Sequence, residues 1–494
     1  MRVVVALLAG LAIALAVWQL EAGRQGVEIT AFDVPDGPPA TLMLAPGAGE
    51  VPVVVVAHGF AGSRQLMEPF ALTLARAGYL VVSFDFMGHG RNPRPMTGDV
   101  TSVDGTTRLM AKEVQAVARA ALAHPRADGR LAYLGHSMAS DIIIRAALQA
   151  PKVDAVVAVS AFSQVVTAER PANLMLIAGD WEGRLKDEAL RILHLTEPTA
   201  GPGQVVGDMG AGRAREVVFA PGVEHVGVLY APAALEAAAR WLDRVFGREG
   251  AVPAQARGGW ILLLLAGVTA LAWPLARALP QGEVVVGPVP RRTFLWAALL
   301  PAMLVPVVLA LVETRVLPVL VADYLVLHFA AYGAVVLLIL AKAGRLRGEF
   351  PARVWGLGLL VAVVTIAGFG LALDRYVANF LPHAGRVAVI AGLALGAVPY
   401  FLADAVLLEA GRARLWRVLL ARGAFLASLV GAVALDFERL MFLLIILPVI
   451  LLFFLIFGTI AGWIGRRVGT AAVAGLGLGG MLAWTLGVTF PLFA

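Results

Sequence analysis

From residue 259 onward the chain is a succession of apolar runs, each about 20 residues long and parted by short polar turns. Twenty helical residues rise about 30 Å, the thickness of a bilayer's hydrocarbon core. In lipid each backbone N–H and C=O must be satisfied within its own segment, so such runs are read as helices. They fall at 259–278, 293–312, 317–341, 353–373, 387–408, 416–435, 440–464 and 470–493, with no convincing internal repeat. Residues 259–494 are therefore predicted to form an all-α transmembrane domain of about eight helices. The sixth run carries Arg417 and Arg422 in its first turns, where long side chains can snorkel to the interface. The 494-residue chain is 59% hydrophobic and 15% charged, against about 45–50% and about 25% in soluble domains. A soluble single-core protein, a disordered chain and a coiled coil are excluded.

Charge divides the chain at the same place. From Arg257 onward there are 18 Lys and Arg against 9 Asp and Glu, whereas the preceding residues hold 22 and 25. The basic excess behind the pI of 9.9 thus belongs to the apolar half. It does not argue for nucleic acid, which needs a basic patch on a folded surface. With no cysteine, disulfides, thiolate catalysis and Cys-based metal sites are ruled out.

Met1-Arg2 followed by the apolar stretch 3–20 predicts an N-terminal membrane anchor over 1–22. A cleaved signal peptide is the second reading, disfavoured because Trp18, Gln19, Leu20 and Glu21 stand where a small-x-small cleavage site is needed. With Met1 inside, the loops predicted to be cytoplasmic carry Arg277, Arg291 and Arg292; Lys342, Arg345, Arg347 and Arg353; Arg412 and Arg414; Arg466 and Arg467. The opposite loops carry only Arg315, Arg375, Arg386 and Arg439. This alternation obeys the positive-inside rule. It predicts a multi-pass cell (inner or plasma) membrane protein with residues 27–248 outside the cytoplasm.

Residues 27–248 alternate short β-rich runs (53–57, 79–84, 131–134, 153–159, 174–178, 216–220) with helical stretches (65–77, 104–123, 137–150, 184–195, 233–246). Continuous apolar runs are the mark of parallel strands buried on both faces, and the alternation predicts a doubly wound α/β sheet. Stretches 27–34 and 40–45, split by Pro35-Asp36-Gly37-Pro38, read as an antiparallel pair opening the sheet. Residues 249–258 read as a polar linker.

One turn in this domain carries chemistry. Gly135-His136-Ser137-Met138-Ala139 follows a strand and precedes a helix. A serine on so sharp a turn is presented at the carboxyl edge of the sheet, and small neighbours let the turn close. The fifth residue is Ala139 where the pattern G-x-S-x-G has glycine. His58-Gly59-Phe60 follows strand 53–57, a loop that in this architecture gives one backbone N–H to an oxyanion hole. Phe60 and Met138 are the candidate donors. Asp85-Phe86-Met87-Gly88-His89-Gly90 reads as a structural turn pinned by Asp85 and His89. His225, in a loop after 216–220, is the candidate base. Gly179-Asp180-Trp181-Glu182 offers two carboxylates. The chain order serine, acid, histidine is that of the Ser-Asp/Glu-His hydrolases.

On these motifs residues 27–248 resemble the α/β-hydrolase superfamily, nearest its serine-aminopeptidase-like and monoacylglycerol-lipase-like members. The resemblance covers under half the chain. It implies an eight-stranded sheet and cleavage of an ester, thioester or amide through an acyl-enzyme. It also favours Glu182, three residues beyond the strand-ending glycine, over Asp180 as the acid. The stretch 160–173 is too short for the helical cap that many relatives insert, so the site should be open, bounded by 91–103, 160–172 and 196–213. Candidate substrates are a small molecule, an acyl lipid or a peptide, with membrane lipid alongside.

The apolar half resembles no family by its motifs. Its ionisable residues Asp323, His328, Asp404, Glu409 and Arg422 lie in or near spans, with Tyr400 and Asp404 on one helix face. They support a second reading: a transport or sensing protein whose hydrolase-like domain binds a ligand without turnover. No metal-ligand cluster or phosphate loop is present, so neither a metal nor another cofactor is called for. The loops near 313–317, 374–386 and 436–439 are expected to help close or feed the site.

Overall fold

A computed structural model describes residues 1–47, 49–99, 102–150, 152–248, 253–285, 287–312, 316–319, 321–348 and 351–494. Parts of the predicted linker (249–252) and of the first predicted outer loop (313–315) lie outside the described residues. The chain forms two compact units. One gathers Leu15–Leu263, Leu373–Asn379 and Pro491–Ala494; the other gathers Met1–Ala14, Leu264–Ala372 and Phe380–Phe490.

The first unit is built on eight strands: β1 (Glu28–Phe32), β2 (Ala40–Leu44), β3 (Val51–Ala57), β4 (Leu80–Phe84), β5 (Ala127–His136), β6 (Ala155–Val159), β7 (Leu174–Gly179) and β8 (Arg215–Ala220). Their spatial order is β1-β2-β4-β3-β5-β6-β7-β8. β2 runs antiparallel to both its neighbours and every other pairing is parallel. β3 shows why four valines stand in succession at 53–56. Val53 and Val55 point into the core on one face of the sheet, Val54 and Val56 into the core on the other, and every residue of the strand is buried.

Five helices cover the faces: α2 (Glu68–Arg76), α3 (Arg108–Leu122), α4 (Met138–Gln149), α5 (Gly183–His194) and α6 (Pro232–Phe246), following α1 (Arg2–Ala22). Two start later than their apolar pattern predicts. α2 is preceded by a 3₁₀ turn at Arg64–Met67, with Pro69 in its first turn. α3 begins at Arg108 because Gly105 is not helical (φ −86°, ψ −120°). Residues 160–173 form no helix, so no helical cap is inserted between β6 and β7.

Two short pieces complete the unit. Leu492 N–H donates to the Gly88 carbonyl (2.9 Å), Met96 N–H to the Leu492 carbonyl (2.7 Å) and Ala494 N–H to the Met96 carbonyl (2.9 Å). The backbone of 491–494 thereby pairs with the loop after β4. The same loop is held from 373–379: Arg91 pairs with Asp374 at 2.6 Å, Asn379 Nδ2 donates to the Gly90 carbonyl, and Ser63 Oγ accepts from the Asn379 amide. The chain's entry to and exit from the sheet also meet. Arg24 and the buried Arg257 both lie against Glu68, at 2.8 and 3.0 Å.

The second unit is helical: α7 (Gly258–Ala276), α8 (Arg291–Leu309), α9 (Ala322–Lys342), α10 (Ala352–Tyr376), α11 (Ala384–Leu407), α12 (Leu415–Leu435), the short α13 (Phe437–Leu440), α14 (Leu443–Val468) and α15 (Ala471–Thr489); the ends of α7 and α10 belong to the first unit. Counting α1, nine helices among the described residues are long and apolar enough to cross a membrane. Glycines set the closest crossings. A Cβ at Gly475 or Gly479 of α15 would stand 2.7 or 2.6 Å from the α11 backbone, and one at Gly333 of α9 would stand 2.7 Å from the Tyr400 amide. Small residues of this kind let helices approach in lipid.

Two arginines depart from the expectation. Arg386, predicted in a loop, lies in the first turn of α11, fully buried, and donates to the Gly487 and Phe490 carbonyls. Arg422 does not snorkel, because Asp404 is 3.0 Å away on α11. Glu409 pairs with Arg417, and His328 lies between Tyr324 and Ser428.

Candidate active site

β5 ends at His136 and α4 begins at Met138, leaving Ser137 alone in the turn at φ 56°, ψ −119°. A non-glycine residue rarely adopts positive φ, and here the surroundings hold it. Ser137 N–H donates to the Val159 carbonyl at 2.8 Å. Gly135 is required, since a Cβ there would stand 2.8 Å from the Ala139 carbonyl oxygen. Ala139 itself is wholly buried against the core, where a methyl group is accommodated.

Three sequence-predicted residues come together across the carboxyl edge of the sheet. Ser137 Oγ lies 2.8 Å from His225 Nε2, and His225 Nδ1 lies 2.5 Å from Glu182 Oε1. Asp180 stands apart, turned to Lys186 at 2.6 Å with its side chain 49% exposed. Nor does it cap a helix: Glu182 occupies the position before α5 and makes no capping bond.

The second oxygen of Glu182 is also engaged. Oε2 accepts from the Gly179 amide (2.6 Å) and from the Ser160 hydroxyl (2.7 Å). Burial pushes the carboxyl up, but the bonds from His225, Gly179 and Ser160 outweigh it and hold Glu182 below the ordinary carboxylate range. Ser160, at φ 52° immediately after β6, carried no signal in the sequence; it is a single serine made relevant by a contact 22 residues away.

The His225 loop is fixed from two sides. Glu224 accepts from the amides of Val226 and Gly227. The buried His136 ring donates from Nε2 to the His225 carbonyl at 2.8 Å. Burial, with His225 close by, pushes His136 down to about 3, so it stays neutral. Gly179 lets β7 approach this loop, because a Cβ would lie 2.5 Å from the Val223 carbonyl.

The candidate N–H donors flank the serine. Met138 is the first residue of α4, whose amide has no partner within the helix. Phe60 follows Gly59, where a Cβ would stand 3.1 Å from Ser137 Cβ. Behind them His58 is buried in one tautomer, Nδ1 donating to the Gly59 carbonyl and Nε2 accepting from the Phe86 amide. Asp85 accepts from the amides of Arg64 and Arg91, and His89 bonds the Met87 carbonyl, so this turn is structural. Among the described residues no cluster of His, Asp and Glu could hold a metal.

Residues 50–192 match the family model described as serine aminopeptidase, S33. No curated protein matches the chain. Similar solved structures include a dienelactone hydrolase from Anabaena variabilis (18% identity, 45% of this chain and 98% of that one, TM-score 0.32). Others are an esterase of the bacterial hormone-sensitive lipase family (19%, 46% and 86%, 0.33) and a membrane phospholipase A described as a bacterial virulence factor (15%, 49% and 96%, 0.32). The strand order and the family match define the first unit as an α/β-hydrolase-fold domain without a cap. It is joined in one chain to a helical region whose long apolar helices fit a multi-pass membrane domain.

Proposed function

We propose that the chain is a membrane-bound serine hydrolase that cleaves an ester, thioester or amide through an acyl-enzyme. The observation that carries this reading is the continuous relay from Ser137 Oγ through the His225 ring to Glu182. His225 Nε2 takes the Ser137 proton as Oγ attacks the substrate carbonyl. The Phe60 and Met138 amides face the oxyanion that forms. His225 then passes its proton to the leaving group, and an acyl-enzyme remains. Water, deprotonated by His225, attacks the acyl carbon and Ser137 leaves with the proton. Glu182 stays anionic throughout and holds the imidazolium in place.

The substrate reaches the serine from an uncapped edge, which suits an acyl-bearing small molecule or lipid, or a peptide end. The distribution of basic loop residues supports a domain outside the cytoplasm.

A fluorophosphonate probe tests the chemistry. The native full-length protein should be labelled, and Ser137→Ala and His225→Ala should not be while their circular dichroism stays unchanged. Absence of native labelling would leave a binding protein without turnover. The compartment has its own test. A reporter active only outside the cytoplasm should be active when fused after Ala256 and silent after Arg412; the reverse pattern overturns the topology.

A further inference from the structure

In the second unit a cavity of about 290 Å³ lies among α11, α12, α14 and α15. Its polar wall is unusual for a position inside apolar helices. Asp404 and Arg422 meet there at 3.0 Å, and Arg422 starts seven residues into α12, about 10 Å from its end. Arg466, exposed at the end of α14, lines the same cavity and donates to the Gly411 carbonyl.

α14 is shaped to seat both cations. Gly458 and Gly462 are one turn apart, and the guanidiniums lie where their side chains would be. A Cβ at Gly462 would stand 3.2 Å from Arg466 Nη1, and one at Gly458 would collide with Arg422. A purely structural ion pair needs one cation per carboxylate. This cavity holds two against one, and Arg422 Nε is buried without a partner. Arg466 is within reach of water, but a buried donor such as Arg422 Nε–H is costly unless an acceptor meets it. Apart from Thr459, the other side chains of the wall, Phe401, Val418 and Leu478 among them, are apolar.

We propose that this cavity binds the oxyanion head of an amphiphile, a carboxylate or phosphate monoanion, between Arg422 and Arg466, with the alkyl chain along the apolar wall. Basic pockets between spans are suited to such heads. The volume holds a headgroup and the first carbons of a chain, at about 30 Å³ for each water displaced.

The test is equilibrium binding to the purified full chain in phosphatidylcholine nanodiscs. The probes are labelled oleate, lysophosphatidylglycerol, inorganic phosphate and, as an uncharged control, oleyl alcohol. At least one charged amphiphile should bind saturably and oleyl alcohol should not; whichever binds names the head. Arg466→Gln, at the exposed mouth, should weaken binding at least about tenfold, the loss of a charge-assisted hydrogen bond. Asp404→Asn with Arg422→Gln should do the same without stranding a buried charge. Both variants should elute and melt like the native chain. The proposal is overturned by absence of saturable binding, by binding indifferent to both variants, or by inorganic phosphate binding as tightly as the amphiphiles.

Discussion

Glu182 and Asp180 are two residues apart and chemically alike, yet only one faces a histidine. Glu182→Gln should lower kcat by about 10³–10⁴-fold, because an amide at this position favours the wrong His225 tautomer. Asp180→Asn should change it by no more than a few-fold, since its carboxylate is spent on Lys186. The opposite ranking in steady-state assays would move the acid to Asp180. Ser160 acts at one remove, as a positioning residue. Without its hydroxyl the Glu182 carboxyl loses one of the bonds that hold it low, so in Ser160→Ala its titration, followed by 13C NMR of the labelled carboxyl, should move to higher pH. A merely structural loss would lower the rate and leave that titration where it was. The sign for stability agrees: a carboxyl held low in the folded state stabilises above its unfolded pKa, and that contribution is lost as pH falls through the folded value. The sequence offered both carboxylates, and spacing known from related chains, not local chemistry, favoured one.

The turn from β5 to α4 is where local sequence and tertiary packing agree most closely. Gly135→Ala should cost about 1–3 kcal/mol of overpacking, because the new Cβ meets the Ala139 carbonyl oxygen. It should also slow probe labelling at least tenfold by displacing Ser137. Ala139→Gly, a substitution toward the commoner pattern, should leave labelling within about twofold. Labelling rates of the purified variants decide both. Strands, helices and spans were legible because each is announced by its own pattern: the four successive valines 53–56 in β3, roughly 20-residue apolar runs in α7 to α12, α14 and α15. Element ends were less so. Gly105 delays α3 through its backbone, and Arg386 enters α11 because two carbonyls near the end of α15 receive it. Neither fact is local to the residues that reveal it.

At the scale of the whole molecule, the sheet unit is not one stretch of chain. Residues 373–379 and 491–494 hold the loop after β4, which borders the open edge near Ser137, and nothing in their own sequence announces the contact. Asn379→Ala removes the bond to the Gly90 carbonyl, and Leu492→Pro removes the amide that bonds Gly88. Each should make the loop easier to cut by trypsin after Arg91 and slow hydrolysis several-fold; mapping of the fragments by mass spectrometry checks it. Unchanged cleavage and rate would reduce both contacts to surface packing. An excised fragment of residues 24–250 would lack both pieces and should show the same looseness. A consequence follows for biosynthesis. The ribosome completes β8 and α6 long before it makes residue 491, and all the later apolar helices are translated in between. The hydrolase unit thus acquires residues 491–494 only after α15 has been made, so that full activity would wait on translation of the helices in between, and a chain stalled before residue 491 would carry an unfinished enzyme.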